Sequence, residues 1–592
     1  MLNSFFKLLY FCSDEDKRSL LKLLALTLLV GILEIAGIAS ILPFLNLASN
    51  PDSFESTTII SNIFGYFDLT SYQSRLMFAG LLILTIFTLS NIMTAMSGWI
   101  IQKLGWQLSH TISTRIADTY LHMPFESYMQ KEAADLIKSA IADVNNLVNH
   151  VLIAGCRFFT SVFVSVAIIT FLAVLQPKIA GLAFVLLTGA FLLVFYLRRK
   201  SVSDLGKQQL VQNSLRFITF ADLLNGNRTI KSSNAQGYFF TRFEKPSRLF
   251  SNIQPKLYLS GSLPRYVIET LVFGAIVLFI VFLAGSSHNG FNNAIPIITL
   301  FALAAYRLIP SINSAYVSAI LVTTHHHVID NIYNDFSRDI VNKPLQNRSV
   351  SFKDHIRLEN VSYNYPSKSH FSVSNLHLEI EVGKCTAIVG TSGSGKTTVG
   401  CLLVGLLDPT SGSISIDGQL RTNEQKPEWI EKLGYVPQDV FIFNGTIEEN
   451  IIFGLEKNEE RLVMASKIAQ SHGFITDTLS DQYKSIVGDN GTRLSGGQKQ
   501  RIGLARAIYR QPDLLILDEA TSALDTKTEK LILDALFNDL TDITIVIIAH
   551  RISTVKNCDK LILLDNGQLT CEGTFDELIS ESELFRELCS YV

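Results

Sequence analysis

The sequence predicts an α-helical membrane domain of six transmembrane helices followed by an α/β domain, on three observations. Hydrophobic residues make up 48% of the chain and charged residues 17%, against about 25% charged in ordinary soluble proteins, and the shortfall in charge is concentrated before about residue 330. Within that half, six stretches are apolar over the roughly 20 residues that a helix needs to cross a bilayer core. Beyond it, apolar strand-like runs alternate with helix-like ones, the order of an α/β domain. At 592 residues the chain is also too long for one hydrophobic core. The expected division is a six-span domain over 1–328, a polar linker over 329–355 that includes Asn342 to Arg348, and the α/β domain over 356–592.

The apolar stretches run over 20–48, 76–101, 144–176, 179–197, 266–284 and 292–328. The first is too long for a signal-peptide core and has no small-residue cleavage site behind a short run, so it is expected to stay as a span. The second and fourth contain no Asp, Glu, Lys or Arg, which excludes a soluble amphipathic helix, because that would keep a charged face. Lys17, Arg18 and Lys22 precede the first stretch, and Arg198, Arg199 and Lys200 end the fourth. Basic residues collect on the cytoplasmic side, so the amino terminus and the α/β domain are both expected in the cytoplasm. Only Arg75 and Lys178 fall on the opposite side. The connections 102–143 and 198–265 lack Gly/Pro clusters and read as helices that leave the membrane and turn back. Between the first two spans, Ile60, Ile63, Phe64 and Phe67 fall at helical spacing, so 50–74 reads either as a short amphipathic helix on the outer surface or as a packed loop.

A net charge of −3 with no concentrated basic surface sets nucleic acid aside as a partner. Cys12, Cys156, Cys385, Cys401, Cys558, Cys571 and Cys589 show no CxxC spacing and read as reduced thiols. No metal is expected at His325-His326-His327, since consecutive residues on one helix point in three directions and cannot close a tetrahedral shell.

Gly390-Thr391-Ser392-Gly393-Ser394-Gly395-Lys396-Thr397 fits GxxxxGK[ST], after the strand-like Thr386 to Val389 and before the helix-like Val399 to Leu407. Glycines there let backbone N–H groups converge on phosphates at a helix N-terminus. Lys396 would neutralise the β/γ oxygens of ATP, the Thr397 hydroxyl would ligate Mg²⁺, and Thr398 completes the expected nucleotide contacts. Leu514 to Leu517 is an apolar strand ending in Asp518 and Glu519, and a parallel sheet places its chemistry at such strand ends. Asp518 is expected to hold Mg²⁺ and Glu519 to polarise the attacking water. His550, after the apolar Ile547-Ile548-Ala549, is expected to orient that water and the γ-phosphate.

Leu494-Ser495-Gly496-Gly497-Gln498 adds a second glycine-rich, helix-opening phosphate contact about a hundred residues after the first. With it, residues 356–580 resemble the ABC ATPases, a P-loop fold. The resemblance implies that Tyr365 stacks on adenine and that Gln438 senses Mg²⁺ and contacts the membrane domain. It implies that Ser522-Ala523-Leu524-Asp525 is the D-loop, with Asp525 among the ATP-binding residues. Val487 to Gly491 is similar to the exporters' cross-contact loop, with Asp489 where glutamate is more usual. Since Ser495, Gly496, Gly497 and Gln498 would face the phosphate loop of an opposite subunit, a dimer is implied. Every motif is intact, so a homodimer with two equivalent ATP sites is the simplest expectation.

The membrane half resembles the ABC exporters too: His122 to Tyr128 and Asn225 to Lys231 are similar to their two cytoplasmic contact regions. ATP would favour the closed dimer, and hydrolysis with product release the open one, so that the spans alternate between inward and outward access.

Glu34, Arg157, Glu269 and Arg307 lie within spans, where an ionisable group costs about 2.5–3.5 kcal/mol on insertion scales. Two readings remain open. Either Glu34 or Glu269 pairs with an arginine inside the bundle, or Arg307, with Arg265 at the start of the fifth span, offers positive charge to an anionic headgroup, with Glu34 in the same site. Ile35 to Phe44 with Leu47-Ala48-Ser49, and Ala305 to Ser311, resemble the first and sixth spans of bacterial flippases for lipid-linked oligosaccharides. That likeness implies arginines near a pyrophosphate, an outer helix near a lipid tail, and a place in a bacterial inner membrane.

The expected function is ATP-driven flipping of an amphipathic anionic substrate, a lipid-linked oligosaccharide, from the cytoplasmic to the outer leaflet. The alternatives are an exporter of hydrophobic drugs, lipids or peptides, and an ATP-gated regulator without turnover.

Overall fold

In a bilayer every backbone polar group must be satisfied within the chain, which turns long apolar sequence into helix. The computed structural model describes residues 15, 18, 22, 25, 29–40, 44, 71–131, 133–175, 177–286, 288–338, 350–365, 372–422, 425–549, 551 and 554–590. The outer stretch up to residue 70, residues 339–349 of the linker and His550 lie outside the described residues. The chain divides into two units, Met1–Met123 with Lys131–Ile340, and Pro124–Gln130 with Val341–Val592.

The regular structure of the first unit's described residues is helical: α1 (Leu29–Ser40), α2 (Tyr72–His122), α3 (Asp135–Leu175), α4 (Pro177–Asn225), α5 (Gln236–Ser286) and α6 (His288–Arg338), with a short helix at Asn227–Ser232. Among the described residues Tyr72–His122, Asp135–Leu175 and Ile298–Tyr333 are long and apolar enough to cross a membrane. The fourth and fifth expected spans lie on α4 and α5. α6 continues to Arg338, into the stretch read as linker.

α3 opens with wide turns over Lys138–Asp143 and Leu147–Ile153. Turns of this kind are rare and rotate the faces of the helix that follows. There Val144, Leu147, Val148 and Val151 join Ile112 and Ile116 of α2 and Ile332 of α6 in one core. A second core gathers Ile38, Ile168, Ile268, Leu300 and Leu308 from four of the helices. Serines stitch α3 to α6: Ser161 Oγ donates to Ser314 Oγ at 2.8 Å, Ser165 Oγ to Ser311 Oγ at 3.1 Å, and Ser311 Oγ to the Ser161 carbonyl at 2.8 Å. Small hydroxyl residues let helices approach and bond where lipid supplies no hydrophobic drive.

In the second unit β1 (His355–Tyr363), β2 (Val373–Glu381), β4 (Ser411–Ile416) and β5 (Gln419–Leu420) form an antiparallel sheet in the order β2-β1-β4-β5. The larger sheet has the order β10-β9-β3-β8-β7-β6. Its strands are β3 (Cys385–Gly390), β6 (Leu433–Val436), β7 (Leu514–Asp518), β8 (Thr544–Ile548), β9 (Lys560–Asp565) and β10 (Gln568–Gly573). All its pairings are parallel except β9 with β10. β7 and β8 are buried at every position, as expected of strands covered on both faces. Ile388 of β3 and Asp518 of β7 both pair with Ile548. That shared register brings the ends of three strands level at one edge of the sheet, where the crevice of an open α/β sheet lies. The Pro124–Gln130 segment packs with this unit, Phe125 resting against its core.

Candidate functional site

The turn after β3 is held in shape by glycine. Gly395, at φ +99°, opens α7 (Lys396–Val404), and a Cβ there would stand 2.6 Å from the Ser372 carbonyl oxygen. Both the left-handed backbone and the close approach exclude a side chain. The loop curls around its own lysine: Lys396 Nζ donates to the carbonyls of Gly390 and Thr391, each at 2.8 Å. Burial pulls the Lys396 ammonium down from the ordinary lysine range, while Glu519 and Asp518 work against that shift. Ser392, Gly393 and Thr397 are exposed on the loop, and the buried Ser394 Oγ has no partner among the described residues. Thr398 Oγ1 lies 3.4 Å from the Tyr365 hydroxyl, and the half-buried Tyr365 ring meets Tyr363 edge-on at 5.0 Å.

Asp518 ends β7 with only 1% of its surface exposed. Burial pushes its carboxyl up to about 6; Glu519 adds to the shift, and Tyr435, Thr397 and Lys396 counter it. The Tyr435 hydroxyl donates to Oδ2 at 3.4 Å, whereas Oδ1 is buried and has no partner among the described residues. A buried carboxylate oxygen left over in this way wants a cation. With the Thr397 hydroxyl beside it, the set is one of hard oxygen donors that fits Mg²⁺.

Glu519, next in the chain, adopts the left-handed backbone at φ +51°. Its N–H donates to the Ile548 carbonyl at 3.0 Å, and its Oε2 accepts from Gln438 Nε2 at 2.7 Å. Two positions named from sequence, Gln438 and Glu519, are therefore joined directly.

Ser495 caps α8 (Gly496–Tyr509) in a reciprocal box with Gln498: the Gln498 N–H reaches Ser495 Oγ at 3.2 Å, and the Ser495 N–H reaches Gln498 Oε1 at 2.8 Å. Gly497 sits where a Cβ would approach the Ala523 carbonyl oxygen to 3.1 Å. Asp525 caps α9 (Thr526–Asp539) by accepting from the Thr528 N–H at 3.0 Å, a bond that holds its carboxyl below the usual range.

Sequence reasoning missed the residues that tie these parts together. From α8, Gln500 donates to Ser522 Oγ at 3.0 Å and the Glu519 carbonyl at 3.4 Å, and accepts from the Ala523 N–H at 3.0 Å. Gln500 lies within the run after the LSGGQ turn, yet only the fold brings it to residues 519–523.

In the first unit, Arg307 and Glu34 face each other: Arg307 Nη1 is 3.9 Å from Glu34 Oε1. Arg307 Nη2 also donates to Asn91 Oδ1 at 3.0 Å, and its guanidinium lies over the Phe87 ring. Arg265 pairs with Glu269 on its own helix at 2.7 Å. The two arginines expected to act together are thus engaged apart. Arg265 instead shares a cavity of about 320 Å³ with Arg157, Asn149, Asn313, Ser314 and Ser318, and Asn313 Oδ1 is buried without a partner among the described residues. Arg157 is a charge inside a span in the sequence; its place beside Arg265 comes from the packing of α3 and of α5 on α6. The three histidines diverge: His325 stacks on His150 at 4.3 Å, while His326 meets His327 edge-on.

Residues 373–522 match the ABC transporter family, and residues 20–308 match the ABC transporter transmembrane region. The ATP-dependent lipid A-core flippase of Cupriavidus pinatubonensis is 27% identical over 503 residues, 83% of this chain and 84% of that protein. The mitochondrial potassium channel ATP-binding subunit of Rattus norvegicus is 42% identical over 245 residues, 40% of this chain and 34% of that protein. The chain spans between 33% and 59% of the length of several curated relatives that it matches. Among solved structures, that of a bacterial Atm1-family ABC exporter with ATP bound superposes with a TM-score of 0.78 over 97% of this chain and 98% of that one, at 20% identity, a likeness of fold. The phosphate loop, the paired carboxylates at a strand end, the LSGGQ turn and the two family matches agree, and the chain belongs to the ABC transporters as a half-transporter of exporter type, with a helical membrane domain fused to an ABC ATPase.

Proposed function

We propose that two copies of this chain hydrolyse MgATP to move an amphipathic anionic substrate, a lipid-linked oligosaccharide, from the cytoplasmic to the outer leaflet of a bacterial inner membrane. The observation that carries the substrate class is the cavity of the membrane unit, where Arg157 and Arg265 stand with two asparagines and two serines. Two guanidiniums amid hydrogen-bonding side chains suit a phosphate or pyrophosphate, which they can bind with paired N–H donors. The likeness to a lipid A-core flippase along 83% of the chain supports a lipid-borne cargo.

In the ATPase unit, Tyr365 stacks on adenine, and the Gly390–Thr398 loop cradles the phosphates with Lys396 on the β/γ oxygens. Thr397 and Asp518 would hold Mg²⁺, which would supply positive charge to the phosphate oxygens. Glu519 polarises the attacking water, held in place by Gln438, and His550 orients the γ-phosphate. Ser495, Gly496, Gly497 and Gln498 serve the site of the second copy, with Asp525 at the seam.

The test is ATP hydrolysis by the full chain in lipid vesicles, with polyprenyl-pyrophosphate saccharides or hydrophobic drugs added in turn. Stimulation by the saccharide, lost in Arg157→Gln, is the expected result. Stimulation by drugs alone replaces the substrate with a hydrophobic one, and a folded dimer without turnover points to a regulator.

A further inference from the structure

Glu529, in the first turn of α9, is 4% exposed, and its hydrogen-bond partners Thr521, Arg551 and Thr554 lie in neither the phosphate loop nor the LSGGQ turn. A carboxylate is costly to bury unless its oxygens are met by donors, and here both are. Oε1 accepts from Thr521 Oγ1 and from Thr554 Oγ1, each at 2.8 Å, and Oε2 accepts from Arg551 Nη1 at 3.3 Å. These are ordinary lengths for O–H···O bonds and a longer one for the guanidinium.

The donors come from two places. Thr521 lies two residues after Glu519, on the turn that leaves β7, and that turn is held from the other side by Gln500 of α8. Arg551 and Thr554 follow His550 by one and four residues, on the segment that leaves β8. A single oxygen, Oε1, is thus shared by hydroxyls from the two strand exits that carry the proposed water-polarising and γ-phosphate-orienting residues. A cavity of about 20 Å³, lined by Glu519, Thr521, Ser522, Arg551 and Thr554 among others, lies against this arrangement, with room for about one water. The strands are already paired as far as Asp518 and Ile548, and the Glu519 N–H bonds the Ile548 carbonyl; beyond that point the shared Glu529 oxygen adds a link between the two exits.

We infer that Glu529 is a positioning residue for ATP hydrolysis, the buried carboxylate that ties Thr521, on the Glu519 turn, to Arg551 and Thr554 beyond β8 and passes displacement of one to the other. This rests on the roles proposed above for Glu519 and His550. A bridge through one acceptor is weakened when either hydroxyl is removed, so removal of the second adds little.

The test uses the full chain in lipid vesicles, with Thr521→Val, Thr554→Val, their double variant and Glu529→Gln, and reads kcat, KM for ATP and melting temperature together. Each threonine variant is expected to lower kcat about 3- to 10-fold with KM within about twofold, and the double variant to fall no further than the worse single one. Glu529→Gln is expected to lower kcat about tenfold. Should it fail to fold, the threonine pair still decides the matter, since each change deletes one hydroxyl from a nearly isosteric side chain. Additive losses in the double variant, an unchanged kcat in Thr554→Val, or losses that track a fall in folded protein would each overturn the inference. Glu519→Gln is measured alongside: if it retains turnover, the assignment of Glu519 fails, whereas if it is inactive while the threonine variants are normal, only the role of Glu529 fails.

Discussion

Gln438 Nε2 donates to Glu519 Oε2 across 2.7 Å, joining the loop after β6 to the residue that follows β7. The amide fixes one carboxylate oxygen in place. Glu519 sits in a left-handed backbone conformation, which costs on the order of 1 kcal/mol for a residue with a Cβ, and the Gln438 bond helps to offset it. Glu519→Gln is therefore expected to cut ATP turnover by about 10²-fold or more while nucleotide affinity stays within a few-fold. Gln438→Ala is expected to lower kcat by a smaller factor, about tenfold, because it loosens the carboxylate without removing it. Single-turnover hydrolysis and equilibrium nucleotide binding on the same preparations separate the two effects.

Asp518 gives the pH dependence. Its carboxyl is pushed up to about 6 from an ordinary value of 3.8. The folded protein then binds more protons than the unfolded chain between those values, and the stability this group contributes is present below 3.8 and lost as pH rises through about 6. The difference is of order 3 kcal/mol at one kcal-scale increment per pKa unit. Mg²⁺ reverses the sign, since it needs the ionised form. The expected outcome is a rise in melting temperature on adding Mg²⁺ with nucleotide that is larger at pH 7.5 than at pH 5.5; a rise that is equal at both would contradict the assignment of Asp518.

The Arg307–Glu34 pair separates a structural charge from a binding one. At 3.9 Å, with side chains 20% and 9% exposed, it is buried enough that Arg307→Ala leaves a carboxylate unmatched, which costs about 3–5 kcal/mol where no rearrangement relieves it. Arg307→Ala is expected to lower the melting temperature, and the double change Glu34→Gln with Arg307→Gln to restore most of it. Arg157→Gln strands no carboxylate among the described residues and is expected to reduce substrate stimulation with the melting temperature unchanged.

Gly395→Ala tests the phosphate loop. A methyl at φ +99°, 2.6 Å from the Ser372 carbonyl, forces the loop to shift, and loss of ATP binding by about tenfold or more is expected, with destabilisation of about 1–2 kcal/mol. Nucleotide titration and thermal unfolding of the full chain read both.

The parts legible in the sequence share one property: their geometry is local. Gly390 to Thr397 fixes a loop by its own glycines, Leu514 to Glu519 combines a buried strand with two carboxylates, and Ser495 with Gln498 closes a cap over three residues. What was not legible depends on strand order and helix packing. The β3-β8-β7 arrangement brings Thr554 to Glu529 across 25 residues and Arg551 across 22. Gln500 reads as one more polar residue in a helix until α8 lies against the exit of β7. In the membrane unit, charges inside spans flagged Glu34, Arg157, Glu269 and Arg307 alike; helix packing decides which pair off and which line a cavity. Arg307 faces Glu34 and Asn91 on neighbouring helices, whereas Arg265 pairs with Glu269 on its own helix, and no sequence spacing distinguishes the two.

The most direct test of the central claim is movement of a polyprenyl-pyrophosphate oligosaccharide in vesicles holding the full chain with its ATPase side outward. Lipid accessible to an impermeant sugar-modifying enzyme on the outside is followed with ATP, with Glu519→Gln and with Arg157→Gln. The account predicts ATP-dependent loss of outside-accessible lipid as it crosses to the lumenal leaflet, absent in Glu519→Gln and reduced several-fold in Arg157→Gln. Vigorous ATP hydrolysis with no movement of the lipid, or movement of hydrophobic drugs in its place, would contradict it.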